Sequence, residues 1–347
     1  MLANRELQDD IQILASYLEQ PRSVLIVTHI NPDGDAMGSS MGLYHYLLKL
    51  GHTVSVLIPN DFPDFLAWMK ESDKAIIFNN NQTKAKTAIA NCEIIICVDF
   101  NDFRRLKDLG PLLDASPAIK ALIDHHPDPD NVYTYKIHTI EAAASAELIY
   151  KLIVGSGNRA LLDSDIAQYI YTGIMTDTGC FNHNSSNPET FTIVADLLST
   201  GFDKDLTHSN VYDNYSVSRM KLMGYCLNNK MVVLPHLHTA YISLTKEEMD
   251  RYNFRTGDAE GFVNLPFSIK GIFITALITE KKDHVRISMR SRGSFAINEI
   301  CEKYFEGGGH KNAAGGETKL SITETIDKFE KLLELYSDAI QKNKWPQ

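Results

Sequence analysis

His29, Asp33 and Asp35 stand within seven positions of one another, in the stretch Thr28-His-Ile-Asn-Pro-Asp-Gly-Asp-Ala-Met-Gly-Ser-Ser40. One imidazole and two carboxylates suit Mn²⁺, Mg²⁺ or Zn²⁺, and the oxygen-rich set leans towards the harder ions. The plainer reading of this stretch alone is an acidic turn that caps a helix. It does not stand alone. Asp99, the triplet Asp124-His125-His126 and Thr176-Asp177-Thr-Gly179 add further ligand-type residues. Five or six carboxylates brought to one place repel strongly unless cations sit among them. That repulsion is the argument for two metal ions, and a shared carboxylate between ions roughly 3.5–4 Å apart suits the hydrolysis of phosphate esters.

The elements that must position these residues are legible in the hydrophobic pattern. Residues 23–28 form an apolar, β-branched run and are predicted to be a buried strand. Residues 54–58, 94–98 and 121–123 are further strands, the third ending at Asp99 and the fourth at Asp124. Residues 7–18, 41–50, 141–154, 164–175 and 188–199 have helical spacing, and Gly51 stops the second of these. Gly38, Ser39 and Ser40 are expected to leave open amides at that helix's start, a place for phosphate. Strands alternating with helices predict an α/β fold with a doubly wound, mainly parallel sheet. Its carboxyl edge is where ligands bind.

Past residue 230 the texture changes to short strands at 231–234, 239–244, 272–278 and 285–289. Thr245 and Glu248 form a capping box, residues 295–304 read as a helix broken by Gly307-Gly-Gly-His310, and residues 321–340 close the chain as one long helix. This predicts a first domain over residues 1–205, a helical linker over 206–229 and a smaller α/β domain over 230–347. In the second domain Lys281, Lys282, Arg286, Arg290 and Arg292 face only Asp283. Arg286, Ser288 and Arg290 alternate and share one strand face. Arginine suits bidentate phosphate recognition, glycines admit close approach of amides to an anion, and His310 can donate.

Composition narrows the class. The 347 residues are 44% hydrophobic and 22% charged, with no apolar run of membrane-spanning length and no secretory leader pattern at the N-terminus. Five scattered cysteines without a C-x-x-C pair indicate a reducing cytoplasm and no cysteine-held zinc. A formal charge of −10 argues against wrapping long duplexes. His45, His52, His138, His236 and His238 are taken as ordinary structural or surface histidines.

His-x-x-Pro-Asp-Gly-Asp-Ala-x-Gly-Ser, the strand ending Val98-Asp99, Asp124-His125-His126 and Thr176-Asp177-Thr-Gly resemble, in order, the four motifs of the DHH phosphoesterase superfamily. Residues 142–150 resemble the helix after the triplet, with Ala143-Ala144-Ser145 where small hydroxyl residues are common, a departure bearing only on substrate contacts. Arg290-Ser-Arg292 and Gly307-Gly-Gly-His310-Lys-Asn-Ala-Ala-Gly315 resemble the DHHA1 substrate-binding domain. Length and layout are most similar to the stand-alone bacterial oligoribonuclease and pAp phosphatase group. The resemblance implies that His29 and Asp33 hold one ion with Asp99 bridging, and that Asp35, Asp99, His125 and Asp177 hold the second. It implies His126 facing the scissile phosphate, Asp124 orienting a histidine, and Ser288, Arg290, Arg292, Gly308, Gly309 and His310 binding substrate in a cleft between the domains.

Mn²⁺ is the implied ion, with Mg²⁺ or Co²⁺ as substitutes. The implied substrates are short single-stranded oligoribonucleotides, pApA-like dinucleotides, or the nucleotide bisphosphate 3′-phosphoadenosine 5′-phosphate (pAp), with no long duplex and no membrane as partner; a homodimer stays open. An exopolyphosphatase or pyrophosphatase-like hydrolase is the nearest rival, and the Gly-Gly-Gly-His run favours nucleotides over it. A non-catalytic nucleotide sensor is disfavoured by the intact ligand set.

Overall fold

The first apolar run forms β1 (Ser23–Val27) in the computed structural model, which describes residues 5–255 and 257–343. Around it the chain runs α1 (Arg5–Tyr17), β1, α2 (Gly34–Lys49), β2 (Thr53–Ile58), β3 (Ile76–Ile77), α3 (Gln82–Asn91) and β4 (Ile94–Val98). It continues through α4 (Gly110–Asp114), β5 (Ile119–Asp124), β6 (Tyr135–His138), α5 (Ser145–Gly155), α6 (Ser164–Asp177), α7 (Pro188–Leu198) and α8 (Lys204–Tyr212). These elements make one compact unit that ends at Asn214.

The six strands are all parallel, in the order β3-β2-β1-β4-β5-β6. Alternation along β1 explains the two covered faces. Val24 and Ile26 enter one apolar cluster with residues of α1, α2, α5 and α6, whereas Leu25 and Val27 enter another with residues of α3 and α4. The strand order reverses between β1 and β4, which opens a crevice at their carboxyl ends. The predicted doubly wound sheet is therefore present, with β3 and β6 as added edge strands. β3 is two residues long, too short for periodicity to register.

Two helix boundaries differ from expectation, and both matter for the site. α2 begins at Gly34, with Asp33 as its N-cap, and Met37 already donates its amide to the Asp33 carbonyl. Gly38, Ser39 and Ser40 therefore lie inside the helix and are buried, so their amides do not form the expected phosphate cradle. α5 begins at Ser145, not 141, because residues 142–144 run buried before the helix starts.

α2 and α6 approach closely through glycine. Gly34, Gly38 and Gly42 recur every four residues, the spacing of one helix face. A Cβ at Gly38 would stand 2.5 Å from the Tyr169 carbonyl oxygen, and one at Gly173 would stand 2.7 Å from Asp35 Oδ1. Side chains at these points would push the helices apart, separating the start of α2 from the end of α6.

From Tyr215 a second unit begins, described here by itself. It runs α9 (Val217–Tyr225), β7 (Met231–Leu234), β8 (Thr239–Leu244), α10 (Lys246–Arg251), β9 (Ile274–Glu280) and β10 (Val285–Ser291). Then come α11 (Ile297–Tyr304), β11 (Gly308–His310), β12 (Ala313–Thr318), α12 (Ile322–Leu335) and α13 (Ser337–Gln341). The sheet order is β11-β12-β10-β9-β8-β7, with β8 and β9 parallel and the other pairs antiparallel. Ile287 and Met289 of β10 pack with Phe329, Leu332 and Leu333 of α12 in its core.

The capping box of Thr245 and Glu248 is formed. The glycine run expected as a helix-breaking loop is instead the strand β11, and the single closing helix is two, divided at Tyr336. Glycine disfavours strands intrinsically, so only pairing with β12 reveals this one. No helix among the described residues is long and apolar enough to cross a membrane.

Candidate metal centre and recognition face

The outer part of the constellation is built on the turn between β1 and α2. Asp33 caps α2, its Oδ1 accepting from the amides of Asp35 and Ala36. The acidic helix cap is thus real, and the carboxylate keeps further lone pairs. His29 sits two residues beyond β1. Its Nδ1 donates to the Ile30 carbonyl at 2.9 Å, which leaves Nε2 as the unprotonated nitrogen in the neutral ring. That Nε2 lies 3.3 Å from Asp99 Oδ2 and 3.9 Å from Asp33 Oδ1.

Asp99 follows β4 with φ of 64°, in the left-handed region that a non-glycine residue seldom occupies. The backbone turns there and the carboxylate is buried. Its second oxygen, Oδ1, lies 3.6 Å from His125 Nε2 and accepts from the Ser145 hydroxyl at 2.9 Å. Each oxygen of Asp99 therefore faces a different histidine.

In the inner part Asp35 and His125 are buried and Asp177 is exposed. Asp35, in the first turn of α2, accepts from the amides of Ser145 and Ala146 and from the Ser39 hydroxyl. It thereby caps α5, whose own N-cap residue, Ala144, has no side chain able to do so. His125 donates from Nδ1 to the Ala142 carbonyl at 3.2 Å, turning Nε2 to within 3.6 Å of Asp177 Oδ2 and 4.0 Å of Asp35 Oδ2. Asp177 is the last residue of α6, where the helix end itself is negative and a cation is favoured.

Asp124, the last residue of β5, accepts from His126 through both the backbone amide and Nδ1, the latter at 2.7 Å. His138, taken as ordinary from sequence, donates from Nε2 to the His126 carbonyl at 2.6 Å and so supports the same loop.

The electrostatics follow from this crowding. Burial pushes the Asp99 carboxyl well above its usual range, and the neighbouring acids Asp35, Asp33, Asp177 and Asp124 add to the shift. Burial also raises Asp35, opposed by His125. Burial alone would lower His125, but Asp177, Asp35 and Asp124 outweigh it and the ring is raised. Asp124 goes the other way: burial opposes ionisation, yet the bonds from His126 leave it lowered.

Two groups result whose ligand atoms lie within 4.8 Å of one another, His29 with Asp33 and Asp99, and Asp35 with His125 and Asp177. The donor set fits divalent cations: two imidazoles whose Nε2 atoms turn inward, among carboxylates whose mutual repulsion a cation relieves. Asp99, Asp124 and His126 form a third such group, but its shortest link is a hydrogen bond that already uses Asp124.

Ser145 has a position that sequence reasoning did not show: it is buried and bonded to both Asp35 and Asp99. Its only sequence signal was a hydroxyl ending a run of alanines before a helix.

In the second unit, β10 turns Ile287 and Met289 to the core and Arg286, Ser288 and Arg290 to the opposite face, as alternation predicted. Arg290 pairs with Ala313 of β12, which pairs with His310 of β11; Ser288, Gly315 and Gly308 form the next row. Directly opposed residues of antiparallel strands share a face. Arg290 and His310 thus share one with a small residue between them, and the adjoining row carries only the Ser288 side chain. Arg292 leaves the strand and stacks on Phe267, 4.3 Å from the ring centre. Burial lowers its pKa. Close packing demands part of the glycine run, since a Cβ at Gly309 would stand 2.5 Å from the Ala313 carbonyl oxygen. At Gly308 the nearest atom would be 3.7 Å away.

Residues 23–174 match the DHH family, N-terminal domain, and residues 237–342 match the DHHA1 domain. The chain is 40% identical to an exopolyphosphatase-related protein from Bacteroides fragilis of known crystal structure; the match covers 96% of this chain and 98% of that one, with a TM-score of 0.91. It is 26% identical over 294 residues to the bifunctional oligoribonuclease and PAP phosphatase NrnA of Bacillus subtilis, covering 84% of this chain and 88% of the relative. The protein of the same name from Thermus thermophilus is 27% identical over 323 residues, covering 92% and 90%.

Proposed function

The chain belongs to the DHH phosphoesterase family, carrying a DHH domain followed by a DHHA1 domain, and from that premise we propose that it hydrolyses short oligoribonucleotides and pAp with two Mn²⁺ ions. The observation that carries this reading is Asp99. Its Oδ2 lies 3.3 Å from His29 Nε2 and its Oδ1 3.6 Å from His125 Nε2, an arrangement that suits a carboxylate shared by two ions. His29 and Asp33 would complete one ion's protein ligands, and Asp35, His125 and Asp177 the other's. When bound, two such ions would supply Lewis-acid chemistry, lowering the pKa of a nucleophilic water and neutralising charge on the phosphate oxygens.

The remaining residues have derivable tasks. Asp124 holds His126 by Nδ1–H and stabilises its imidazolium, so Nε2 can present a proton to a phosphate oxygen. Asp35, through the amides of Ser145 and Ala146, ties the start of α5 to the ligand set. In the second unit, Arg290 and His310 on one sheet face, beside Ser288 and Gly308, would grip a phosphate or base away from the scissile bond. The partners in this reading are short single strands and nucleotide bisphosphates. The compartment is the cytoplasm, in keeping with the five free thiols.

Chelator-stripped protein should recover turnover with Mn²⁺ on pAp and on a pApA dinucleotide, with Mg²⁺ and Co²⁺ as comparison ions. The names of the relatives from Bacillus subtilis and Thermus thermophilus support these substrates. A second reading, exopolyphosphatase, is favoured by the name of the 40%-identical Bacteroides fragilis protein. Hydrolysis of polyphosphate together with indifference to both nucleotides would select it; no turnover of any of these compounds would leave a binding protein.

A further inference from the structure

His126 stands just beyond β5 and opens the run His126-Pro-Asp-Pro-Asp130. Pro127 and Pro129 carry no N–H, so this stretch has few backbone donors with which to hold itself. Asp128, between them, has φ of 57°, in the left-handed region that a non-glycine residue seldom occupies. Such a conformation persists only where the surrounding structure fixes it.

Two side chains without a task in the reaction supply that support. His138, the last residue of β6, donates from Nε2 to the His126 carbonyl at 2.6 Å. Asn101, buried in the loop after β4, donates from Nδ2 to the next carbonyl, that of Pro127. The Asn101 carbonyl in turn accepts from the Asp130 amide at 3.2 Å. β4 and β6 flank β5 in the sheet, so consecutive carbonyls of the His126 loop are gripped from both neighbouring strands. Asp124, paired in register with His138, holds the amide and Nδ1 of the same histidine. Asn101 follows Asp99 by two residues, so its bonds also tie the His126 loop to the loop of the shared carboxylate.

We propose that Asn101 and His138 are positioning residues for His126, fixing where its ring stands against the scissile phosphate by clamping the carbonyls of residues 126 and 127. The proposal rests on the reading in which His126 acts on that phosphate. A misplacement of about 1 Å at such a group costs on the order of 10²-fold in rate.

The test is steady-state turnover of pAp and a pApA dinucleotide by full-length protein with Mn²⁺, with bound metal and melting curves measured on the same samples. His138→Leu and Asn101→Ala each remove a donor, so kcat should fall roughly 10- to 100-fold while Mn²⁺ content stays unchanged. His138→Gln keeps an N–H donor of similar reach, and its kcat should stay within about threefold of wild type. In a His126→Ala background neither loss should lower kcat further, because the group being aimed is gone. An equal further loss in that background would overturn the proposal. So would unchanged kcat in both single variants, or loss of Mn²⁺ in step with rate, which would make these residues supports of the metal ligands. If His138→Leu does not fold, Asn101→Ala decides; failure of both to fold would make the clamp a folding element and end the proposal. Wild-type protein that turns over neither nucleotide would sink the functional reading and this inference together, whereas an active wild type with indifferent variants sinks this inference alone.

Discussion

The first unit assembles its candidate metal site from residues far apart in the chain, whereas the second takes its candidate recognition face from neighbours. His29, Asp33, Asp35, Asp99, His125 and Asp177 come from the ends of β1, α2, β4, β5 and α6, and they meet only because a parallel sheet and a glycine-mediated helix contact bring them together. Ser288, Arg290, Gly308 and His310 lie on two strands of one sheet, with β12 between them. The difference reflects the ligands each suits. Divalent ions need several donors around a point, which no single segment supplies here. A phosphate or base can be gripped by one surface of cations and amides. The first arrangement should be intolerant of single losses and the second graded.

Asp99→Ala is the sharpest trial of that contrast. In the two-ion reading both ions lose a shared carboxylate at once, so turnover should drop to background and bound metal should fall, measured as metal content and kcat on the same sample. Near-normal turnover with Mn²⁺ would remove the shared ligand from the scheme. One step down, His125→Ala should lose metal, whereas His126→Ala should keep most of its metal and lose about 10²–10⁴-fold in kcat. The reverse pattern would exchange the roles of the two histidines.

In the second unit, Arg290→Ala or His310→Ala should leave metal content unchanged. Each removes a charge-assisted contact of about 1.5–3 kcal/mol, so kcat/KM for pAp should fall roughly 10- to 150-fold. A generic phosphodiester too small to reach that face should lose little; equal losses on both substrates would mean these residues serve folding instead.

The smallest effect is on stability. In chelator-stripped protein at neutral pH, Asp99→Asn should raise the melting midpoint by about 2–4 °C, near 1 kcal/mol, because it removes one buried charge among repelling acids. Burial and those acids raise the folded-state pKa of Asp99. Stability is therefore lost as pH rises through that value, and the advantage of asparagine should vanish towards acid pH. An Asn variant that melts lower at neutral pH would mean that the crowding is not destabilising.

The strands that lead to His29, Asp99 and Asp124 were legible because each is a nearly continuous apolar run with a ligand-type residue at or just past its end, the mark of a strand buried on both faces. The alternation of Arg286, Ser288 and Arg290 was legible for the opposite reason, one face buried and one open. The start of α2 was misplaced because the acidic turn was read as separate from the helix, whereas the residues from Gly34 onward are already helical behind the Asp33 cap. β11 was missed because glycine carries no strand signal of its own.

By itself the sequence determined which residue types recur at strand ends, that the sheet is mainly parallel, and that acids collect where cations would relieve them. These follow from local periodicity and from the repulsion of like charges. Tertiary structure alone decided that each oxygen of Asp99 faces a different histidine, that Asp35 caps α5, and that Ser145 bonds to both Asp35 and Asp99. The reason is distance along the chain. Ser145 is 46 residues from Asp99 and 110 from Asp35, separations over which no local pattern fixes a hydrogen bond and only packing of α2, α5 and α6 can.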